Sequence, residues 1–387
     1  MLAVLQAREE VAVAVTSRRF LILLTLAFSS LKAATLPEDQ ADLLYHAYEG
    51  GGVEITGPSL LVRKKVVENL SVTANYYVDM VTSASIDVVT TASQYTEERT
   101  QTSVGFSYLN DKTILTLNVT NSTENDYEAN TAYFSISQDF FSNLTSVALS
   151  YTQGDDTVMQ NGDDDFMEEL QRQSYRLDVS QVITKNSILT LAAEAITDEG
   201  YLNNPYRQVR YLDPSVPLGY SYQSEVYPNT RNSTAIALTG KYFLPYRAVA
   251  YGEYRTYTDS WGIGAANYEL GYIHPFAYDL TLEVSYRIYE QDQADFYADL
   301  FPFQNSQNFL ARDKELSDFT SDTLTIGLTY DFKMDTIFDR GSLNLYYNFM
   351  TFDYENFRDL TVTAAPGEEP LYSLDATVIR AFVSFWF

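Results

Sequence analysis

The densest group of metal-binding side-chain types lies between residues 153 and 172. Oxygen-rich sites of this kind suit a hard cation such as calcium or magnesium. The carboxylates that would hold a divalent cation are Asp155, Asp156, Asp163, Asp164, Asp165 and Glu168. An EF-hand is excluded, because Thr157 and Met159 would stand at its first and third ligand positions. The alternative is a solvated acidic loop that repels its neighbours or meets cations bridging lipopolysaccharide.

A second set of charged residues recurs on the polar face of predicted strands. As pore-lining residues we predict Arg176, Glu194, Lys241, Arg247, Glu253, Arg255, Glu269, Glu283 and Arg287; Asp79, Asp178 and Arg380 fall on the same face. Both signs of charge are present. They fit cross-strand pairs that stiffen a wall, and equally a transverse field that orients a polar solute in a pore.

Catalytic and cofactor chemistry has few candidates in this sequence. Cysteine is absent, which rules out thiol nucleophiles and thiolate metal sites, and the two histidines are His46 and His274. Neither histidine accompanies a nucleophile elbow. We therefore predict no enzyme and no cofactor. The net charge of −27 argues against a nucleic-acid partner, because phosphate binding needs positive patches.

Stretches of about ten residues with alternating polarity are the elements that would position these side chains. In one of them Leu280, Leu282 and Val284 alternate with Thr281 and Glu283. A period of two predicts strands with one apolar and one polar face. A soluble sandwich would turn the apolar face inward, whereas an outer-membrane barrel turns it towards lipid.

Connection lengths favour the barrel over the sandwich. Short and long connections alternate, as periplasmic turns and extracellular loops do. The predicted long loops are 81–100, 120–128, 153–172, 197–232, 291–320 and 353–373, with one short exception at 256–261. The sequence thus predicts an all-β, transmembrane, antiparallel up-and-down β-barrel of about 16 strands, within a range of 14–16.

Both ends of the chain carry export signals. Ser17-Arg18-Arg19 precedes a short apolar core and small residues, which is typical of a secretory signal peptide. We assign residues 1–34 to this leader, although its long acidic start resembles an over-extended reading frame, and residues 35–387 to a single barrel domain. The last strand ends on Phe385 and Phe387, as in the assembly signal that the barrel assembly machinery recognises.

Four stretches resemble an uncharacterised proteobacterial outer-membrane family, domain of unknown function 3570. They are Ser83–Val88, Ile196–Arg207, Ser260–Ile263 and Ala311–Ser317. The resemblance implies a barrel and brings no known activity. Asn203-Asn204-Pro205 within the second stretch has the composition of an Asx/Pro turn. We expect that turn to fix loop shape, with ligand contact as the alternative.

These observations predict a bacterial outer-membrane protein whose partners are outer-membrane lipid, lipopolysaccharide, the assembly machinery and divalent cations. The leading function is a channel for small polar solutes or ions, since a barrel of sixteen strands leaves an aqueous path unless something fills it. The alternative is a barrel sealed by its own loops that acts as a surface receptor or as a scaffold for a partner protein. A sleeve for an electron-transfer partner is a third, minor reading.

Overall fold

A computed structural model describes residues 34–83, 95–276, 279–334 and 337–387. The predicted signal peptide lies outside these residues except for Ala34, and so does nearly all of the stretch Ser83–Val88. Within the described ranges, no helix is long and apolar enough to cross a membrane.

Eighteen strands and one short 3-10 helix, Lys314–Leu316, make up the described chain. The strands are β1 Gln40–Gly50, β2 Val53–Val67, β3 Leu70–Ser83, β4 Tyr95–Asn110, β5 Thr113–Thr123, β6 Tyr127–Phe140, β7 Thr145–Gln160, β8 Asp163–Thr184, β9 Ser187–Gly200, β10 Gln208–Leu212, β11 Tyr220–Ser224, β12 Thr230–Phe243, β13 Val249–Asp259, β14 Gly264–Pro275, β15 Leu280–Gln291, β16 Phe319–Lys333, β17 Arg340–Arg358 and β18 Leu371–Trp386.

Sixteen of these strands form one closed antiparallel barrel, in which each strand pairs with its sequence neighbours and β1 closes on β18. The closing register places Gln40 opposite Trp386 and His46 opposite Arg380. The remaining two, β10 and β11, form a separate hairpin between β9 and β12. The predicted fold class and strand number are confirmed.

The two faces of each strand differ in polarity, as the alternation predicted. On β17, Leu345 and Phe349 are exposed on the outside, whereas Asn344 and Asn348, which directly precede them, are buried on the inside. An apolar outer face and a polar inner face are the arrangement of a barrel in lipid. The protein is therefore a transmembrane, outer-membrane-type β-barrel.

The two ends of the barrel have different connections. Every connection at one end is short, from the two-residue turn 68–69 to 334–339, whereas the other end carries 201–229, 292–318 and 359–370. Long loops mark the extracellular end of such barrels. The start of β1 at Gln40 and the end of β18 at Trp386 both lie at the short-turn, periplasmic end.

The prediction of a loop at 153–172 is wrong, because these residues form the upper part of a β-hairpin. Strands β7 and β8 continue through it to a tight turn at Asn161 and Gly162, with Asp155 opposite Gln171 and Val158 opposite Glu168. This part of the hairpin lies above the lipid-facing band, so neither of its faces contacts lipid and neither needs to be apolar. The polarity alternation therefore stops while the backbone hydrogen bonding goes on. For the same reason the loops 120–128 and 353–373 shorten to 124–126 and 359–370.

Candidate functional site

Eight of the nine predicted pore-lining residues lie on the lumen face of a barrel strand. These are Arg176, Glu194, Lys241, Glu253, Arg255, Glu269, Glu283 and Arg287, each in phase with buried or half-buried neighbours and out of phase with the exposed apolar residues. The prediction for Arg247 is wrong. It lies in the periplasmic turn between β12 and β13, exposed and with a φ of +68°.

On β8 and β9 the lumen charges are paired. The Arg176 guanidinium donates to Asp178 at 2.8 Å and lies 3.5 Å from Glu194 on the neighbouring strand. Ser174 Oγ also donates to Glu194, at 2.8 Å. This group stays accessible, with 43% of the Arg176 side chain and 32% of that of Asp178 exposed. It fits both the cross-strand ladder and the pore-lining interpretation.

On β13 to β15 the carboxylates and the guanidiniums do not pair with each other. Glu253 accepts from Thr239 Oγ1 at 2.8 Å, and Glu269 accepts from the Tyr251 hydroxyl at 2.9 Å. Within the described part of the chain, Arg255 and Arg287 have no carboxylate within 4.0 Å. The ladder prediction therefore does not hold here, and two cationic groups are left facing the lumen.

Among the described residues, the lumen-facing side chains are packed along one side of the barrel and accessible along the other. Along β14–β18 and β1–β4, which we call the buried wall, most lumen-facing side chains are buried; Ser285, Thr325 and Ser384 are each 3% exposed. Along β5–β9, β12 and β13, which we call the accessible wall, the lumen-facing side chains at mid-height are mostly half-buried or exposed. Polar side chains accessible along one wall are what a water-filled passage requires.

His46 contributes to the filling of the buried wall. Its Nε2 lies 2.7 Å from Asp79 Oδ1 and 3.1 Å from the Tyr77 hydroxyl, and its ring stacks on that of Tyr77. Arg380 lies opposite His46 in the β1–β18 pair, and its guanidinium lies 5.5 Å from the centre of the Tyr346 ring on β17. The buried histidine is thus part of a packed polar layer.

The three long extracellular loops fold together into a cap, defined as residues 201–229, 292–318 and 359–370. Buried aromatic rings form its centre: Trp261, from the β13–β14 turn, packs edge-on against Tyr227 and Phe296. Phe357 is fully buried against this cluster, and the Arg312 guanidinium lies over its ring at 4.4 Å. The cap thus packs on the extracellular ends of the barrel strands through a shared hydrophobic core.

A buried ionic network ties the three loops of the cap together. Arg210 on β10, 0% exposed, donates to Glu369 Oε1 at 2.5 Å and also pairs with Asp299. Arg312 contacts the same aspartate at 3.0 Å. Burial opposes ionisation of Glu369, but the hydrogen bonds from Arg210 outweigh it and lower the pKa of that carboxyl. Each of the three segments supplies at least one member of the network.

Three of the stretches that carried the family resemblance meet in or beside this cap. Arg207 pairs with Asp313 across two loops. Asn203 accepts from the Tyr227 backbone N–H and donates to the Glu225 carbonyl, both at 3.0 Å. The predicted Asx turn is present, because the Tyr206 N–H donates to Asn204 Oδ1 at 2.9 Å. These residues determine the shape of the cap, as we expected of that turn.

The cap also contacts the hairpin turns next to β9. The Tyr206 hydroxyl donates to Asp126 Oδ2 at 2.6 Å and accepts from the Asn161 N–H at 2.7 Å. Asp126 belongs to the β5–β6 connection, and Asn161 to the β7–β8 turn. The loop that follows β9 is therefore fastened to the turns of the two neighbouring hairpins, β7–β8 and β5–β6, above the accessible wall.

Two carboxyls inside the cap are perturbed by burial. Desolvation, followed by the charge of Asp313, raises the pKa of Glu225 to about 7. The same two causes raise the pKa of Glu315 to about 7. Glu225 nevertheless accepts hydrogen bonds from the Arg312 N–H at 2.7 Å and the Tyr227 hydroxyl at 2.6 Å. Its protonation therefore bears on the stability of the cap near neutral pH.

The carboxylates predicted to bind a divalent cation do not converge on one point. Asp155 faces outward, whereas Asp156 faces the lumen and accepts from Tyr127. The others, Asp163, Asp164, Asp165 and Glu168, are exposed on the rising part of β8. Among the described residues a different group meets, Glu97, Glu124 and Asp126, which sequence reasoning missed.

Comparison with known proteins supports the family resemblance. A family model described as "Protein of unknown function (DUF3570)" matches residues 90–350, which confirms the family predicted from the sequence. No curated protein matches the chain.

Solved structures share the barrel at low sequence identity. A bacterial polysaccharide outer membrane secretin is 8% identical with a TM-score of 0.47, covering 91% of this chain and 100% of its own. The siderophore receptor PirA from Pseudomonas aeruginosa is 12% identical with a TM-score of 0.44, over 91% of this chain and 64% of its own. The outer-membrane-expressed OmpT of Vibrio cholerae is 8% identical with a TM-score of 0.42, over 92% and 100%.

Proposed function

We propose that this chain, which belongs to the DUF3570 family of proteins of unknown function, is an outer-membrane channel for small polar solutes or ions. The observation that carries the proposal is the asymmetry of the lumen. Polar and charged side chains remain accessible at mid-height along the accessible wall, whereas those of the buried wall are packed. A barrel of this size leaves an aqueous path where side chains do not fill it.

The cap would set the upper limit on what enters such a passage. It is rooted on the strands from β9 to β18, and Tyr206 fastens it to the β5–β6 turn. Its buried core and ion pairs make it a folded unit rather than a set of loose loops. The structure therefore favours small solutes over large ones.

The charges along the path favour polar solutes. Arg255 and Arg287 face the lumen without an ion-pair partner among the described residues, while Glu253 and Glu269 face it from the same strands or the next one. Groups of both signs in one confined region create a transverse field. A solute that carries both donors and acceptors gains most from such a field.

A matched pair of cysteine substitutions tests whether the passage follows the accessible wall. The natural chain has no cysteine, so any introduced thiol is the only one present. Ser150 on β7 lies half-buried opposite Arg176, whereas Ser285 on β15 is 3% exposed on the buried wall. We expect stepwise conductance in planar bilayers, and a charged thiol reagent should reduce the current of Ser150→Cys but leave that of Ser285→Cys unchanged.

Two results would count against the channel. One is the absence of conductance in protein that is folded, as shown by faster migration in detergent gels before boiling than after. The other is equal reactivity of the two cysteines, which would contradict the asymmetric lumen. Recovery of the protein in the soluble periplasmic fraction would contradict the proposed outer-membrane location as well.

Ion selectivity gives a second, independent measurement. The acidic hairpin tip at Asp163, Asp164 and Asp165 lies at the extracellular mouth and is exposed. Fixed negative charge enriches cations within about 10 Å at 0.1 M salt. We expect cation preference that falls when these three residues are neutralised, more at low salt than at high salt. Anion preference would mean that Arg255 and Arg287 dominate.

The cap itself favours a second candidate, a sealed barrel that acts as a receptor or scaffold. Its three loops form an ordered extracellular surface, with Arg210 completely buried beneath it. Such a surface could hold a partner protein without any transport. The two candidates separate in the bilayer experiment, because a sealed barrel conducts only after the cap has been disrupted.

A further inference from the structure

We propose that Glu97, Glu124 and Asp126 form a binding site for a hard divalent cation, Ca²⁺ in the first place, at the extracellular end of β4–β6. One carboxylate oxygen from each residue lies within 4.8 Å of the other two. Glu97 lies near the start of β4, and the other two belong to the three-residue connection between β5 and β6. Because β4 and β5 are neighbours in the barrel, the backbone places the three carboxylates close together.

The three carboxylates are buried as well as close together. Glu97, Glu124 and Asp126 are 8%, 6% and 3% exposed. Glu97 Oε1 and Asp126 Oδ1 are enclosed and, as carboxylate oxygens, accept no hydrogen bond from any donor among the described residues. A buried carboxylate oxygen without a partner is costly, and buried charges are as a rule paired or bound to a metal. Two such atoms aimed at the same small space point to a ligand between them.

The neighbouring cation does not balance this charge. The guanidinium of Arg99 lies 4.0 Å from Glu124 and 3.4 Å from Asp79, and its Nε donates to Ser122 at 2.7 Å. Among the described residues, one positive charge is thus shared between the cluster and a further carboxylate in the lumen. A bound dication would supply the charge that remains to be balanced.

The ligand types select the class of metal. All three donors are carboxylate oxygens, which suit calcium and magnesium rather than transition metals. Calcium accepts irregular sets of six to eight oxygens, whereas magnesium demands near-octahedral geometry. A cluster drawn from a strand end and a short turn fits the more tolerant ion. The site faces the extracellular end, where proteins bind calcium with dissociation constants of roughly 10⁻⁴ to 10⁻³ M.

Occupancy of the site would also act on the cap. Asp126 accepts the Tyr206 hydroxyl through Oδ2, at 2.6 Å, and leaves Oδ1 towards the cluster. A cation on Oδ1 would hold the Asp126 carboxylate in the orientation that receives Tyr206. Tyr206 fastens the loop 201–229 to the β5–β6 and β7–β8 turns, so calcium would stabilise the docked position of that loop.

Terbium luminescence on the full-length protein tests the site. The protein is refolded in detergent without lipopolysaccharide, freed of metal with a chelator and checked for heat-modifiable migration. Tb³⁺ replaces Ca²⁺ at oxygen sites, and the bonded Tyr206 provides the sensitising ring. We expect tyrosine-sensitised emission that Ca²⁺ displaces with a dissociation constant of roughly 10⁻⁴ to 10⁻³ M. The double substitution Glu97→Gln with Asp126→Asn should lower the affinity for Ca²⁺ at least about tenfold.

The matched control removes the same charge from the exposed hairpin. Asp164→Asn with Asp165→Asn lies on the tip of β8, outside the buried cluster, and should bind Ca²⁺ as the natural protein does. Equal weakening in both double variants would overturn the proposal in favour of diffuse attraction by the acidic rim. Unchanged affinity in the variant of Glu97 and Asp126 would overturn it as well.

A shared proton is the competing explanation of the buried carboxylates. In that case the natural protein binds no Ca²⁺ by calorimetry, and Glu97→Gln alone stabilises it to heat; this result overturns the cation site. If the double variant fails to fold, calorimetry on the natural protein and on Tyr206→Phe still shows whether the site binds Ca²⁺. One Ca²⁺ per chain in both, with sensitised terbium emission reduced in the phenylalanine variant, supports the site, and no Ca²⁺ in either overturns it.

Discussion

Replacing Arg210 with methionine should open the cap and leave the barrel intact. The Arg210 guanidinium is fully buried, and it pairs with Asp299 and Glu369 from two other segments of the cap. Methionine keeps much of the side-chain length but carries no charge. The two carboxylates would then lose a partner while still buried.

The size of the effect follows from what each carboxylate retains. Removing one partner of a buried ion pair costs about 3–5 kcal/mol. Asp299 would keep Arg312 at 3.0 Å, and Glu369 would keep the Gly367 N–H at 2.8 Å. We therefore expect the lower end, about 3 kcal/mol of cap stability, because neither group is left wholly without a partner. At about 1.4 kcal/mol for each factor of ten, the opening equilibrium would rise roughly a hundredfold.

Hydrogen exchange measured by mass spectrometry resolves this local change. Protected amides in 201–229, 292–318 and 359–370 should exchange about a hundred times faster in Arg210→Met, whereas those of the barrel strands should not change. Arg340→Met is the control, since Arg340 pairs with Glu38 at the periplasmic end, where both side chains are partly exposed. Natural exchange rates throughout the cap of Arg210→Met would refute the idea that this network holds the loops together.

Three further predictions concern the barrel and the pH response of the cap. Leu270→Arg, on the lipid face at 73% exposure, should cost about 2–4 kcal/mol near the midplane and reduce the folded fraction in detergent gels, while Ser150→Arg on the accessible wall assembles normally. Deleting Phe387, whose ring lies 5.8 Å from that of Phe338, should reduce assembly into the membrane, and normal yields would contradict a role in the assembly signal. Because the pKa of Glu225 rises from 4.5 to about 7 on folding, its contribution to cap stability is complete below about pH 4.5 and is lost as the pH rises through about 7. Exchange in the cap, corrected for the intrinsic rate, should therefore increase from pH 5 to pH 8. The slope should be smaller in Glu225→Gln, with Glu315 accounting for the remainder, and an unchanged slope would refute this assignment.

The barrel could be predicted from the sequence because lipid imposes a simple rule on every strand. Outward positions such as Leu345 must be apolar, and the residues between them need not be, so the period of two is visible without any knowledge of contacts. The rule applies only within the lipid-facing band. Above it, the hairpin of β7 and β8 is polar on both faces, and the same strands looked like a loop at 153–172.

The cap and the carboxylate cluster depend on contacts between distant segments, which no local pattern reports. The pairs Arg210–Glu369 and Arg207–Asp313 join loops that are separate in the sequence. One feature of the strand pairing could have predicted the carboxylate cluster. In the register of β4 and β5, Thr100 lies opposite Thr123, and extending that pairing by three residues brings Glu97 opposite Asp126. Treating 81–100 and 120–128 as loops hid it, because loops have no register.

The turn that contains Arg247 shows a different limit. Its charge and position suggested a lumen-facing strand residue, but β12 ends at Phe243 and β13 begins at Val249. A left-handed backbone at Arg247 closes the turn between them. Strand ends are set by hydrogen bonding across the pair, and alternation alone does not locate them.

The wide sequence separation within the cap has a consequence for the order of folding. Arg210 and Glu369 are 159 residues apart, and the loops that carry them leave the barrel at β9 and β17. Contacts of such long range form late, since the chain entropy of closing the intervening segment is lost before they give any stabilisation. The strands must be in register before these loops can meet. We therefore expect the cap to fold after the barrel strands have paired, and its local opening over the mouth should leave the barrel beneath it closed.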